Sequence, residues 1–434
     1  QERGNFRSAK RDPEILVHSA LDQAHLKQLQ RQIGSLRNQA QSFPDEQSPP
    51  LVEKLAAEIE ALEKEHRTLQ KNKRPTMITV AVAPRPVRIL RRGNWQDTTG
   101  QLVQPAIPQS LGQVPVGQGR ATRLDLAKWI TSRDNPLTAR VLANRLWYLF
   151  WGRGLFDSLQ DTGAQGSVPT HPELLDHLAL ELIDSGWDVK HMVKLIVMSS
   201  AYRQSSRSSV GLRSRDPENR YFARQSRFRL PAEMIRDGAL VVSGLLDSRL
   251  GGPSVHPYQP AGYYAHLNFP KREYQHDSGP NQYRRGLYTH WQRQFLHPML
   301  RAFDAPSRED CTARRAASNT PAAALTLMND PSFIESARGL AALTLRNGGS
   351  GASQRIDWVW KRVLSRSPNQ IERQALRNLL QAEQTYYSQH REAAQTLIGV
   401  GESKAGHTSP THELAAWMAV TRTLLNLHET ITRD

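Results

Sequence analysis

The chain has 434 residues, of which 38% are hydrophobic and 23% charged, and 57 basic residues against 41 acidic ones give it a net charge of +16. That balance supports a packed core of two or three domains and excludes global disorder, while the surplus attracts anions: nucleic acid, anionic polysaccharide or an acidic protein partner. No apolar run approaches the roughly 18 residues of a membrane span, and a single cysteine excludes a disulfide framework, a Cys-rich zinc module, an iron–sulfur cluster and c-type haem attachment within this chain.

The chain starts at Gln1 without a methionine or an apolar leader, as expected of a processed product or of the C-terminal part of something longer. In residues 1–75, Leu26, Leu29, Ile33 and Leu36, and then Val52, Leu55, Ile59, Leu62 and Leu69, mark the seams of two helices. Pro44, Pro49 and Pro50 separate them, so the expected structure is an antiparallel helical hairpin over about Asp22–Lys73. It reads either as a partner-docking arm or as a spacer. Residues 76–119 begin with a β-branched stretch, Thr76–Leu90, that reads as one or two strands interrupted by Pro84 and Pro86. A long extended connection follows.

Residues 120–434 read as a mainly helical body. Asn135-Pro136 opens a helix ending at Trp151, and Thr170-His171-Pro172-Glu173 reads as a capping box. Asp188, Thr320-Pro321 and Asp330-Pro331 are further helix starts. Residues 251–291 interrupt this pattern with an irregular insertion rich in Tyr and His, and a strand is expected at Arg285–Trp291. Irregular segments held between rigid helices are where sites usually sit. The expected fold class is therefore mainly α with a minor β element.

Several groups of residues can carry chemistry. Arg314 and Arg315 precede the helix start Ser318-Asn319-Thr320-Pro321, a combination suited to an anion cradle. The bland reading is that these arginines pair with Asp304 and Asp330. Cys311 reads as a nucleophile or, with no histidine near it in sequence, as a buried small hydrophobe. His256, His266, His276, His290 and His297 lack the spacing that marks a metal site, so no metal is expected. Asp161 lies in a Gly-containing loop, and Glu233 and Asp237 stand one helical turn apart, read as an ion-paired or solvated face. Arginines from Arg203 to Arg229 interleave with Tyr202, Tyr221, Phe222 and Phe228, a composition shared by nucleic-acid grooves and sulfate-binding surfaces. No nucleic-acid-binding signature accompanies them. The catalytic candidates are Asp304, Asp161 and His290. The ligand-binding candidates are Arg314, Arg315, Ser318, Asn319 and Thr320.

The stretch LDLAKWITSRDNPLTARVLANRLWYLFWGRGL, followed in order by DPENRYFARQSRFRLPAEMIRDGALVVSG, RRGLYTHWQRQ and FDAPSREDCTARRAASNTPAAALTLMNDPSFIESARGLA, resembles the planctomycete-specific C-terminal domain of unknown function. That domain accompanies planctomycete cytochrome c domains in large exported proteins, and the resemblance runs from about Arg120 to the C-terminus. It implies an extracytoplasmic location, periplasmic or at the cell surface. It also implies an upstream or c-type cytochrome domain as partner. No cofactor is expected in this chain, and c-type haem would belong to a region before Gln1. Combined with the charge, it leads to the expectation of a redox-linked protein that binds or processes complex, anionic (sulfated) carbohydrate. The competing expectation is a non-catalytic binding or scaffold module for a cytochrome or cell-surface partner. Whether the chain is an enzyme stays open.

Overall fold

The computed structural model describes residues 14–41, 49–80, 82–114, 119–266, 273–292, 295–403 and 409–433. Residues 1–104 and 105–434 form two compact units. In the first, helices α1 (Ala20–Gln41) and α2 (Pro49–Lys71) make the expected hairpin. Its base is closed by an antiparallel pair, β1 (Glu14–Val17) with β2 (Arg74–Met77). Leu29 and Ile33 of the α1 seam are the side chains sunk between the helices. A second short pair, β3 (Val87–Arg88) with β4 (Leu102–Val103), follows. Pro84 and Pro86 fall between strands, as their missing N–H groups require.

The second unit is helical around two cores. The first core is built by α4 (Thr138–Trp151), α5 (Pro172–Asp184) and α6 (Val189–Met198), preceded in the chain by α3 (Arg123–Ile130), which buries no side chain, and followed by short α7 (Val210–Arg215). Asp188 caps α6 as read from the sequence, whereas α4 starts at Thr138 rather than Leu137, and the Asn135 side chain accepts from the Leu137 and Thr138 N–H groups just ahead of it. The capping box expected at Thr170 does not form. The Thr170 hydroxyl donates to the Leu155 carbonyl instead, and α5 starts after His171 with Pro172 in its first turn. Trp147 stacks on Trp151 at 5.3 Å, and Phe222 meets both edge-on. Tyr202 packs against the same core. Two of the aromatics that suggested a groove are therefore interior packing.

The second core gathers α8 (Ala232–Ser243), α9 (Pro298–Ala302), α10 (Pro321–Asn329), α11 (Pro331–Asn347), α12 (Ala352–Leu364), α13 (Gln370–Gln389), α14 (Arg391–Ile398), α15 (Thr411–Leu425) and α16 (His428–Ile431). Its axis is the pair α11 and α15. Ala337 and Ala341 on one helix and Ala415 and Ala416 on the other are wholly buried, and small side chains let helix backbones approach closely. Thr421 donates its hydroxyl across that contact to the Ala337 carbonyl at 2.8 Å. The strand pair β5 (Phe228–Arg229) with β6 (Thr432–Arg433) brings the chain end back beside α8. From there Arg433 donates to the Phe150 carbonyl and lies over the Tyr202 ring, tying the two cores together.

The strand expected at Arg285–Trp291 is replaced by tight turns at Gly279–Tyr283 and Gly286–Tyr288 with isolated bridges. The reason is visible in two contacts. The buried Arg284 guanidinium donates to the carbonyls of Arg249, Gly251 and Pro253, satisfying groups that a neighbouring strand would have used. Gly286 lies flat on α8, where an added Cβ would stand 3.0 Å from the Glu233 Cα. The segment Gly399–Ser409, read as a flexible break, lies partly outside the described residues, which end at Ser403 and resume at Ser409.

Candidate functional site

The first turns of α8 meet the arginines of the distant loop 305–320. Glu233, in the first turn where an anion suits the helix dipole, keeps its side chain 13% exposed. Arg315 reaches it at 2.6 Å and Arg308 at 3.8 Å. The Arg308 guanidinium also lies 3.7 Å over the Trp291 ring, whose Nε1 donates to the Ser307 carbonyl. Burial and the neighbouring Arg315 push Arg308 downward while Glu233 opposes them. One turn on, Asp237 accepts from the Gly286 N–H at 2.6 Å, and burial raises its carboxyl against that bond.

Beside this stands a second charged group. Arg229 donates to Asp304 at 2.5 Å and to the Phe303 carbonyl at 3.0 Å. Asp304 also accepts from the Ser318 backbone N–H at 2.7 Å and from its hydroxyl at 2.8 Å. Burial alone would raise the Asp304 carboxyl, but the Ser318 N–H and the Arg229 guanidinium outweigh it and hold the carboxyl below its ordinary value. Asp304 adopts φ +59, a conformation that Asp tolerates better than most residues. The loop 305–320 therefore spans from the Asp304 anchor to α10, with Arg308 and Arg315 turned onto Glu233.

The sequence candidates separate on this frame. Asp304 and Ser318 bond each other, with Arg229 as the cation. Arg315 takes Glu233 rather than Asp304 or Asp330, and Arg314 stands 4.0 Å from Asp157. Asp330 serves as the cap of α11. Thr320 caps α10, and Asn319 is exposed in the loop before it. Asp161 accepts from the Gly163 N–H in its own turn and is not drawn to the others. Cys311 is exposed, so the reading of it as a buried hydrophobe is corrected: loop 305–320 lies over the surface rather than in a core. His290 stacks near His256, ring centres 4.6 Å apart, and His256 is 5.5 Å from the Tyr274 ring.

Behind these rings is a polar interior. Arg236 is 1% exposed and donates to the carbonyls of Gln282 and Arg284. His297, 3% exposed, has no well-formed hydrogen bond at either ring nitrogen. Burial, then nearby Arg236, lowers its imidazole to about 4, while the Pro257 and Tyr258 carbonyls push the other way. Burial raises Asp330 to about 6. Glu335, fully buried, accepts from Tyr283, Arg338 and the Ser403 N–H, which clamps the 398–403 loop against the 274–283 turns. Sequence reasoning missed Arg308, and it held Arg229 and His297 only as members of the arginine-rich stretch and the histidine set. The one legible signal was the charge pattern of α8 itself, Glu233 with Asp237. Among the described residues, no group of three or more His, Cys, Asp or Glu side chains could hold a metal ion.

Residues 122–380, more than half of the chain, match the family PSD1, described as a protein of unknown function (DUF1553). The match begins at Thr122, the cap of α3, and takes in α8, the loop 305–320 and α11. The chain belongs to this family. No curated protein and no solved structure matches it.

Proposed function

We propose that this chain binds anionic carbohydrate at the α8 edge, as the C-terminal portion of an exported, redox-linked protein. The observation that carries this reading is the convergence of Arg308 and Arg315 on Glu233: among the described residues, two guanidiniums there share one carboxylate. Such a group holds surplus positive charge, and guanidinium forks match sulfate and carboxylate oxygens. Trp291 backs the Arg308 guanidinium and holds it at this edge. The redox and export parts are supported by the family resemblance. If the site processes its ligand, Asp237, whose carboxyl burial raises, is the group to move a proton, since the partners of Asp304 hold that carboxyl below its ordinary value.

The second reading is a scaffold module for a cytochrome or cell-surface partner. It is favoured by one observation: Asp304, Arg314 and Arg315 all have ionic partners within the chain. A binding screen at two salt concentrations separates the two, using sulfated glycan, neutral glycan, DNA and a c-type cytochrome. Preference for sulfated glycan supports the first reading. Preference for the cytochrome supports the second, and preference for DNA contradicts both.

A further inference from the structure

We infer that the base of the α1–α2 hairpin is a receptor for a small ligand bearing a sulfate or phosphate group. The inference goes beyond the α8 reading and rests on none of its residues. A cleft of about 400 Å³ opens there between the two helices, in the size range of small-molecule sites. Its wall carries Arg67, Lys71 and Lys73 together with His18 and His66, and no carboxylate lines it, although Arg67 also stands 3.9 Å from Glu63. His18 Nδ1 and His66 Nε2 are shut off from solvent and have no hydrogen-bond partner. Gln30 and Gln70 add amide groups to the same wall. Three cations, two imidazoles and side-chain amides around one small volume are the chemistry that recognises a tetrahedral oxyanion.

The strand pair β1–β2 fixes this geometry, since His18 directly follows β1 and Lys73 directly precedes β2. A competing account is that cations at the end of α2 only complement the negative end of the helix dipole. That account covers Lys71 in the last turn. It does not cover Lys73, beyond the helix, nor the two imidazole rings beside it.

The test uses the full chain with labelled histidine. Sodium sulfate and, separately, sodium phosphate are titrated at an ionic strength held constant with sodium chloride, and the ring resonances of His18 and His66 are followed. The inference predicts a saturable shift of both rings with either oxyanion and none with chloride. In Arg67→Gln/Lys71→Gln the midpoint should rise about tenfold or more, with helix content unchanged. In Arg308→Ala/Arg315→Ala the midpoint should stay where it is. A non-saturating response that chloride reproduces would overturn the inference. So would a midpoint unchanged by the loss of Arg67 and Lys71. If the double variant loses helix content, the comparison of oxyanion with chloride in the unmodified chain decides alone.

Discussion

Asp304 is bound to Arg229 across 75 residues of sequence, at 2.5 Å, with both side chains largely withdrawn from water. The pair anchors loop 305–320 to the strand that precedes α8, because Ser318 bonds the same carboxylate. Removing one partner leaves the other charge partly buried and uncompensated. Arg229→Ala is therefore expected to destabilise the chain on the order of 3 kcal/mol. Chemical denaturation of the variant beside the unmodified protein measures it.

Arg315→Ala has the opposite expectation for stability. Its guanidinium is 41% exposed, so solvent already screens the bond to Glu233. The loss should be about 1 kcal/mol or less, read as a small shift in the same denaturation experiment. A loss as large as that of Arg229→Ala would show that Arg315 is a structural residue and would favour the scaffold reading.

How much of this was legible in the sequence follows from the range of each interaction. The caps at Asp188, Thr320 and Asp330 act within three residues, and they were read correctly. The hairpin was legible because its apolar spacing is local. The Thr170 capping box was not, since Leu155, fifteen residues away, competes for the hydroxyl. The strand near Arg285 failed for the same reason: the Arg284 side chain takes carbonyls more than thirty residues distant. The site belongs to this second kind. Arg315 and Glu233 lie 82 residues apart, so the sequence showed that charged groups were present but not which ones meet.

Gly401 lies where the 398–403 loop passes over the buried Glu335. It has φ +80, and an added Cβ would stand 2.1 Å from the Glu335 Cδ. Glu335 has no room to yield, being 0% exposed and bonded to Tyr283, Arg338 and Ser403. Gly401→Ala should destabilise the chain by about 3 kcal/mol or more, through strain added to a broken network. Gly399→Ala, at ordinary φ in the same loop, serves as the control. Its expected cost is smaller, and thermal melting of both variants compares them.

The buried His297 makes stability depend on pH. Its folded value of about 4 lies below the ordinary value of 6.5, so between these limits the unfolded chain binds a proton that the folded chain refuses. That contribution is complete above the unfolded value and is lost as pH falls from 6.5 towards 4, by about 3 kcal/mol in all. Asp330, raised to about 6, works the other way: its share of stability falls as pH rises from 3.8 towards 6. The two slopes oppose each other below pH 6. His297→Gln should therefore lose less stability than the unmodified chain on moving from pH 6.5 to 4.5. Denaturation at the two pH values tests this, and identical losses would contradict it.

The central claim is that Arg308 and Arg315 form an anion-binding edge on α8, and calorimetric titration tests it most directly. A sulfated oligosaccharide and its unsulfated counterpart are titrated into the chain and into Arg308→Ala/Arg315→Ala, with Arg67, Lys71 and Lys73 replaced by glutamine in both proteins to silence the hairpin cleft. The account predicts saturable binding of the sulfated sugar alone, weakened about tenfold or more by loss of the two arginines, with little change in Tm. Equal affinity in the two proteins, or a lowered Tm with binding intact, would contradict it.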